Sequence, residues 1–97
     1  MELKNDTLGA RLVVPDTVTV RQQLLYFSAV TGTRDEFMAR LWEGARTLIL
    51  EWECPALPDR DVSLDEISST KATEVIIWAA LAVKNYINGL DNIPKNS

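Results

Sequence analysis

The residues whose types and spacing come closest to a chemical site run from Asp59 to Glu66, Asp-Arg-Asp-Val-Ser-Leu-Asp-Glu. Oxygen-bearing side chains at alternate positions are typical of the first half of a calcium-binding loop. The second half is missing, because Leu64 occupies the position of the sharp-turn glycine and Thr70 that of the bidentate glutamate. The sequence therefore predicts no metal site, and these carboxylates are expected to face solvent.

Catalytic residues are not indicated either. The chain contains no histidine, which removes the most common general base and the serine triads. Its one cysteine, Cys54, therefore has no histidine to activate it and is interpreted as a small apolar residue. We expect a protein that is not an enzyme and that uses no cofactor.

The same region is strongly acidic. Six acidic residues lie between positions 51 and 66, and the only basic residue among them is Arg60. Such a segment is usually a solvated loop, but it is also suited to bind a basic partner or to mimic a phosphate backbone. The candidate protein-interaction residues in it are Asp59, Asp61, Asp65 and Glu66.

Aromatic residues supply the other interaction candidates. Trp42, Trp52 and Trp78 lie at helical positions and are expected mainly in the core. Trp52 is flanked by two glutamates, and tryptophan is enriched at binding hot spots, so an interface role is the alternative there. Trp42, Trp52 and Tyr86 join the four acids as candidate interaction residues.

Composition limits the class of protein. A chain of 97 residues, 46% hydrophobic and 25% charged, is ordinary for one small globular domain over 1–97. The net charge of −4 disfavours nucleic acid and anionic membranes as partners. The start of the chain lacks signal-peptide features, and the apolar run Val75–Val83 is shorter than the ~20 residues of a membrane span. We expect a soluble cytoplasmic protein whose modest core favours a homo-oligomer.

The elements that would position these residues begin with a β-hairpin. The turn residues Asn5, Asp6 and Gly9 separate two short alternating or β-branched runs, which predicts a hairpin over about 2–14. A two-stranded ribbon is marginally stable alone, so it should lie against the helices. The predicted fold class is mainly α, with α+β character at the edge: this hairpin, a helical hairpin, and a long, largely buried C-terminal helix.

The first predicted helix covers about 20–31. Thr19 and Gln22 have the capping-box spacing at its start, and an apolar stripe of Val20, Leu24 and Phe27 follows one face.

The second predicted helix covers about 34–53, with the pair Thr33 and Glu36 at its start and an apolar stripe that ends at Trp52. Gly44 marks either a close approach to a neighbour or the end of the helix. A strand is the alternative within 47–53, which also partly alternates.

An acidic, proline-containing loop over about 54–69 should follow, with a helical turn near Leu64–Ile67 capped by Ser63. The third helix, about 70–88, should bury its first half, and Gly89 is expected to end it in a left-handed conformation. Residues 91–97 are predicted to be a frayed tail. The packing seam of the third helix is predicted at Ile76, Ala80, Val83, Ile87 and Leu90. Surplus apolar surface for self-association is predicted on the same helix at Val75, Ile77 or Leu81.

Four stretches of the chain resemble the small tail assembly chaperones of long-tailed (siphovirus-type) bacteriophages. They are Val-Pro-Asp-Thr-Val-Thr-Val-Arg-Gln-Gln-Leu at 14–24, Leu-Pro-Asp at 57–59, Ile-Ile-Trp-Ala at 76–79 and Asn-Ile-Pro-Lys-Asn at 92–96. The resemblance implies a non-enzymatic protein of the host bacterial cytoplasm. It implies binding of the tape measure protein, whose long hydrophobic helices are kept soluble, recruitment of tail tube protein, and self-association.

Two hypotheses of function follow. A chaperone needs exposed apolar surface rimmed by charge rather than a pocket with titrating groups. The alternative is a small acidic inhibitor that mimics nucleic acid and binds a host enzyme, which requires the acids of 51–66 to form one face. The apolar candidates for a chaperone surface are Tyr26, Phe27, Trp42, Trp52 and Tyr86.

Overall fold

The computed structural model describes residues 1–32 and 36–91, with side chains through residue 89. Within these ranges the chain forms an α+β fold of three α-helices and a three-stranded antiparallel sheet. The elements are β1 (Glu2–Asn5), β2 (Ala10–Val13), α1 (Val20–Val30), α2 (Phe37–Leu48), β3 (Glu51–Glu53), a short 3₁₀ helix (Leu64–Glu66) and α3 (Thr70–Asp91).

The predicted hairpin is confirmed, and it carries the turn chemistry expected of it. Gly9 has a φ of 65°, a left-handed conformation that costs glycine little, and its N–H donates to the Asp6 carbonyl. The Asn5 side chain accepts a hydrogen bond of 3.0 Å from the Leu8 N–H. These bonds fix the register in which Asn5 lies opposite Ala10.

The sheet separates apolar from charged side chains by simple alternation. Leu3, Leu12 and Trp52 lie opposite one another across the three strands and pack on the core. The other face is partly or fully exposed and mainly charged, with Val13 between Glu2 and Glu51 as its apolar member; its charged residues are Glu2, Lys4, Arg11, Glu51 and Glu53.

The second helix is shorter than predicted, because β3 takes the end of the predicted range 34–53. The helix ends at Leu48, and the Leu50 N–H then donates to the Val13 carbonyl at 2.7 Å. The pairing of β3 satisfies backbone groups of β2 that a continued helix would leave without partners. The strand alternative within 47–53 is therefore correct.

The start of the second helix also differs from the prediction. The helix begins at Phe37, and Glu36 occupies the N-cap position with an extended backbone and no side-chain capping bond. Thr33, the expected cap, lies outside the described residues.

Helix α1 begins as predicted and packs against α2, as a helical hairpin requires. Thr19 accepts from the Gln22 N–H at 3.2 Å, and the Gln22 side chain accepts from the Thr19 N–H at 2.8 Å. The two helices meet at Gly44, where an added Cβ would stand 2.7 Å from Val30 Cγ2 and 3.0 Å from Tyr26 Cε1. The close-approach reading of Gly44 is therefore correct.

Helix α3 is buried on one side only, so the expectation that its first half is fully enclosed is wrong. The predicted seam residues Ile76, Ala80, Val83 and Ile87 are buried, and Val75 is buried with them. Ile77 and Leu81, in contrast, are 40% and 38% exposed, and Trp78 is only half-buried. The cause is that α3 packs mainly against α2, which covers one face of it.

The helix also runs past its predicted end. Gly89 is not left-handed and α3 continues to Asp91, so the predicted glycine cap is wrong. The side chain of Leu90 and the tail at 92–97 lie outside the described residues. Among residues 1–32 and 36–91, none of the helices combines the length and hydropathy that a membrane crossing requires.

Candidate protein-interaction surfaces

The aromatic candidates belong mainly to the core. Trp42 is 1% exposed and therefore unavailable to a partner, which corrects its place among the interaction residues. Trp52 packs against it with ring centroids 5.5 Å apart, and its indole N–H donates to the Leu57 carbonyl at 2.6 Å. Tyr86 is half-buried, and its hydroxyl donates to the Pro15 carbonyl. Both residues thus have a structural use in joining elements.

The acidic loop residues are exposed, as expected, but they are held in different ways. The Asp59 carboxylate accepts a hydrogen bond of 2.9 Å from the Asp61 N–H, and this bond closes a local turn. Asp61 also pairs with the Arg46 guanidinium of α2 at 3.0 Å. Asp65 and Glu66 lie in the 3₁₀ helix, where Ser63 accepts from the Asp65 N–H. The helical turn predicted there is confirmed.

Arginines far away in the sequence compensate part of this acidic segment. Arg11 of β2 pairs with Glu53 at 3.3 Å and with Glu51 at 3.8 Å. It also donates to Glu2, and this hydrogen bond lowers the pKa of the Glu2 carboxyl. Together with Asp61, three of the six acids of 51–66 are therefore in ion pairs. Sequence reasoning, which opposed only Arg60 to them, missed Arg11 and Arg46.

Among the described residues, the largest group of exposed apolar side chains lies on α1. Val20, Leu24, Leu25 and Phe27 are 72%, 64%, 49% and 41% exposed, and we call them the α1 surface. Val20, Leu24 and Phe27 follow one side of the helix, and the Phe27 and Tyr26 rings are nearly perpendicular, with centroids 5.5 Å apart. The helix carries one charged residue, Arg21, so this face is almost uncharged in a chain of net charge −4.

The position of α2 explains why this surface is uncovered. Tyr26, 3% exposed, and Val30 point toward Gly44, which turns the stripe of Val20, Leu24 and Phe27 away from the core. The predicted stripe is therefore a real helical face, but it faces solvent. A signal was available in the sequence: apolar residues occupy more than one side of this helix, and a single neighbouring helix covers only one side.

A second apolar region lies where α2, the 3₁₀ helix and α3 meet. An open pocket of about 210 Å³ there is lined by Met38, Ala39, Leu64, Ile67, Thr73, Ile76 and Ile77. Phe37 is 48% exposed at the start of α2, with Lys84 Nζ 6.0 Å and Arg40 Cζ 5.7 Å from its ring centroid. The lining is apolar except for Thr73, so the pocket suits an apolar side chain.

Within residues 1–32 and 36–91, no group of three His, Cys, Asp or Glu side chains is arranged to hold a metal ion. Comparison of the chain with protein-family models, curated proteins and solved structures found no match.

Proposed function

We propose that this protein is a non-enzymatic phage tail assembly chaperone that binds the tape measure protein and assists assembly of the tail tube. The observation that carries the proposal is the α1 surface, together with the resemblance of residues 14–24, which lead into it. Apolar side chains are concentrated on one helix at the outside of the fold, where they contribute little to the core.

The chemistry of the α1 surface suits the binding of an apolar helix by such a chaperone. Fully burying one Val, Leu or Phe side chain is worth about 1.5–3 kcal/mol, so covering four partly exposed ones supplies several kcal/mol of gross binding energy. The ligand would be an amphipathic or apolar helix laid along α1, a recognition mode that needs few specific polar contacts. The resemblance implies a ligand of this kind, because it implies a tape measure protein with long hydrophobic helices as the partner.

The charge distribution also suits this role. Helix α1 carries one charged residue, Arg21, while acids lie on the charged face of the sheet and in the segment 59–66. A charged surface around an apolar contact keeps a complex soluble while its apolar parts are covered. The acidic-inhibitor alternative gains no comparable support, because Glu51, Glu53 and Asp61 are engaged by arginines.

Co-expression with the tape measure protein of a long-tailed phage tests the proposal. The wild-type chain should raise the soluble fraction of that protein and co-purify with it. Leu24→Gln should lose both effects, because it replaces the centre of the α1 surface with a polar residue of good helix propensity.

The matched control is Leu50→Gln. Leu50 is 59% exposed, close to the 64% of Leu24, but it lies between α2 and β3. The proposal fails if the wild-type chain forms no complex, or if Leu24→Gln and Leu50→Gln retain the partner equally well.

A further inference from the structure

Helix α3 presents a second exposed face, with apolar residues at its centre and opposite charges at its ends. Glu74, Ile77, Leu81 and Lys84 are spaced by three, four and three residues, the spacing that keeps side chains on one side of a helix. Glu74 is exposed, Ile77 and Leu81 are 40% and 38% exposed, and Lys84 is half-buried. We call these four residues the α3 face.

We propose that the α3 face binds the same face of a second copy of this chain, with the two α3 helices antiparallel. A two-fold interface must be self-complementary, so that each residue meets its opposite number twice. Glu74 and Lys84 lie at equal distances in sequence from Ala79, as do Ile77 and Leu81. With a two-fold axis that crosses the face at the level of Ala79, which is itself buried on the other side of the helix, Ile77 faces Leu81 of the second copy and Glu74 faces Lys84 of the second copy.

The charges select this arrangement over the parallel one. A parallel pair in register would oppose Glu74 to Glu74 and Lys84 to Lys84, which is repulsive at both ends. Neither residue takes part in an ion pair within the described part of the chain. The Lys84 ammonium instead lies 6.0 Å from the centroid of the exposed Phe37 ring.

The neighbouring surface extends the contact beyond two turns of helix. Phe37 flanks the Lys84 end of the face, and the pocket of about 210 Å³ opens beside Ile77 near the other end. An antiparallel second copy brings its Phe37 end toward the pocket end of the first, so both apolar features fall inside the same contact. Stable interfaces bury about 1,200–2,000 Å². Because only two exposed apolar residues, Ile77 and Leu81, lie at the centre of the α3 face, we expect a weak dimer that dissociates on dilution.

Sedimentation velocity across a concentration series, at low and moderate salt, tests the proposal. The wild-type chain should shift from monomer toward dimer as its concentration rises. Glu74→Lys and Lys84→Glu should each weaken the dimer by at least about tenfold, because each turns two attractive pairs into repulsive ones. Circular dichroism of each variant shows whether it is folded, and both positions lie outside the buried core.

Mixing the two single variants distinguishes the proposed antiparallel interface from any other dimer contact. One variant then carries lysine at 74 and 84 and the other carries glutamate at both, so a mixed pair has two attractive contacts. The mixture should dimerise although neither variant does so alone, and the double variant E74K/K84E should recover wild-type association.

Three results would overturn the proposal: a wild-type chain that stays monomeric throughout the series, single variants that dimerise like the wild type, and a mixture that remains monomeric. Ile77→Gln provides an uncharged check, since it should weaken the dimer at any salt concentration. The test does not depend on the proposed chaperone function, because that function is assigned to α1 and its experiment uses Leu24.

Discussion

Gly44 of α2 lies against Val30 of α1 so closely that an added Cβ would stand 2.7 Å from Val30 Cγ2. The Tyr26 ring closes the other side, with Cε1 3.0 Å and Cδ1 3.1 Å from the same point. Protein interiors are packed too densely to absorb such an atom without movement of a neighbour. The contact between α1 and α2 therefore sets which side of α1 is buried and which side is left to solvent.

Gly44→Ala should lower the free energy of unfolding. Overpacking of a dense contact costs about 1–3 kcal/mol, which outweighs the roughly 1 kcal/mol that alanine gains over glycine in a helix. Urea denaturation followed by circular dichroism measures the change.

Gly89→Ala is the control, because Gly89 is also in a helix but an added Cβ there meets nothing within 4 Å. It should be as stable as the wild type or slightly more so. Equal stabilities of the two variants would contradict the packing argument.

Tyr86→Phe should lower the free energy of unfolding by about 0.5–1.5 kcal/mol, the net worth of one hydrogen bond. Its hydroxyl donates to the Pro15 carbonyl and so joins α3 to the segment that follows β2. Thermal or urea unfolding measures the loss. Tyr26→Phe is a matched control, since the Tyr26 hydroxyl makes no hydrogen bond within the described residues, and it should be nearly neutral.

Alkaline titration should show both tyrosines of the chain ionising late. Burial raises the pKa of Tyr26, and burial together with the nearby Asp16 carboxylate raises the pKa of Tyr86 above the ordinary 10.0. Well below pH 10 both phenols are protonated whether the chain is folded or not, so tyrosine ionisation does not affect stability there. Above it the unfolded chain ionises first, and stability falls as pH rises.

The measurement is tyrosinate absorbance in the folded chain and in denaturant. Half-ionisation at the same pH in both solutions would contradict the result expected from burial.

Arg11→Gln should return the pKa of Glu2 toward its ordinary value, because the hydrogen bond from Arg11 is the main cause that lowers it. A carboxyl with a depressed pKa contributes stability above its unfolded value, here 4.5, and loses it as pH falls through the folded value. The Glu2 carboxylate is exposed, so NMR titration of that carboxyl is a better readout than unfolding. Lys4→Gln is the control and should move the pKa less, since Lys4 Nζ is 3.8 Å away. An equal shift in both variants would contradict the role of Arg11.

Local signals predicted the local parts of the fold. The hairpin turn and the capping box at Thr19 depend on residues within a few positions of one another, and both are present. The third strand was harder to predict from the sequence, because Glu51–Glu53 pairs with β2, which lies about 40 residues earlier in the chain. A three-residue strand lying on the end of a helical stripe has no strong signal of its own.

The candidate surface shows a similar limit. Periodicity correctly placed Val20, Leu24 and Phe27 on one face of α1, but it does not tell whether a face has a neighbour within the chain. That was decided by Gly44, which lets Tyr26 and Val30 approach α2 instead. The partial neutralisation of the acidic segment 51–66 could not be predicted from the sequence either, because Arg11 is brought to Glu53 only by the pairing of β2 with β3.

The short edge strand β3 affects how readily a protein with exposed apolar helix faces can aggregate through its sheet. Glutamates occupy two of its three positions, and both side chains are largely exposed. Charges on a very short edge strand discourage the addition of a foreign strand, which is how cross-β polymers grow. The apolar residues of α1 and α3 can thus remain exposed while the β3 edge of the sheet stays a poor template for fibrils.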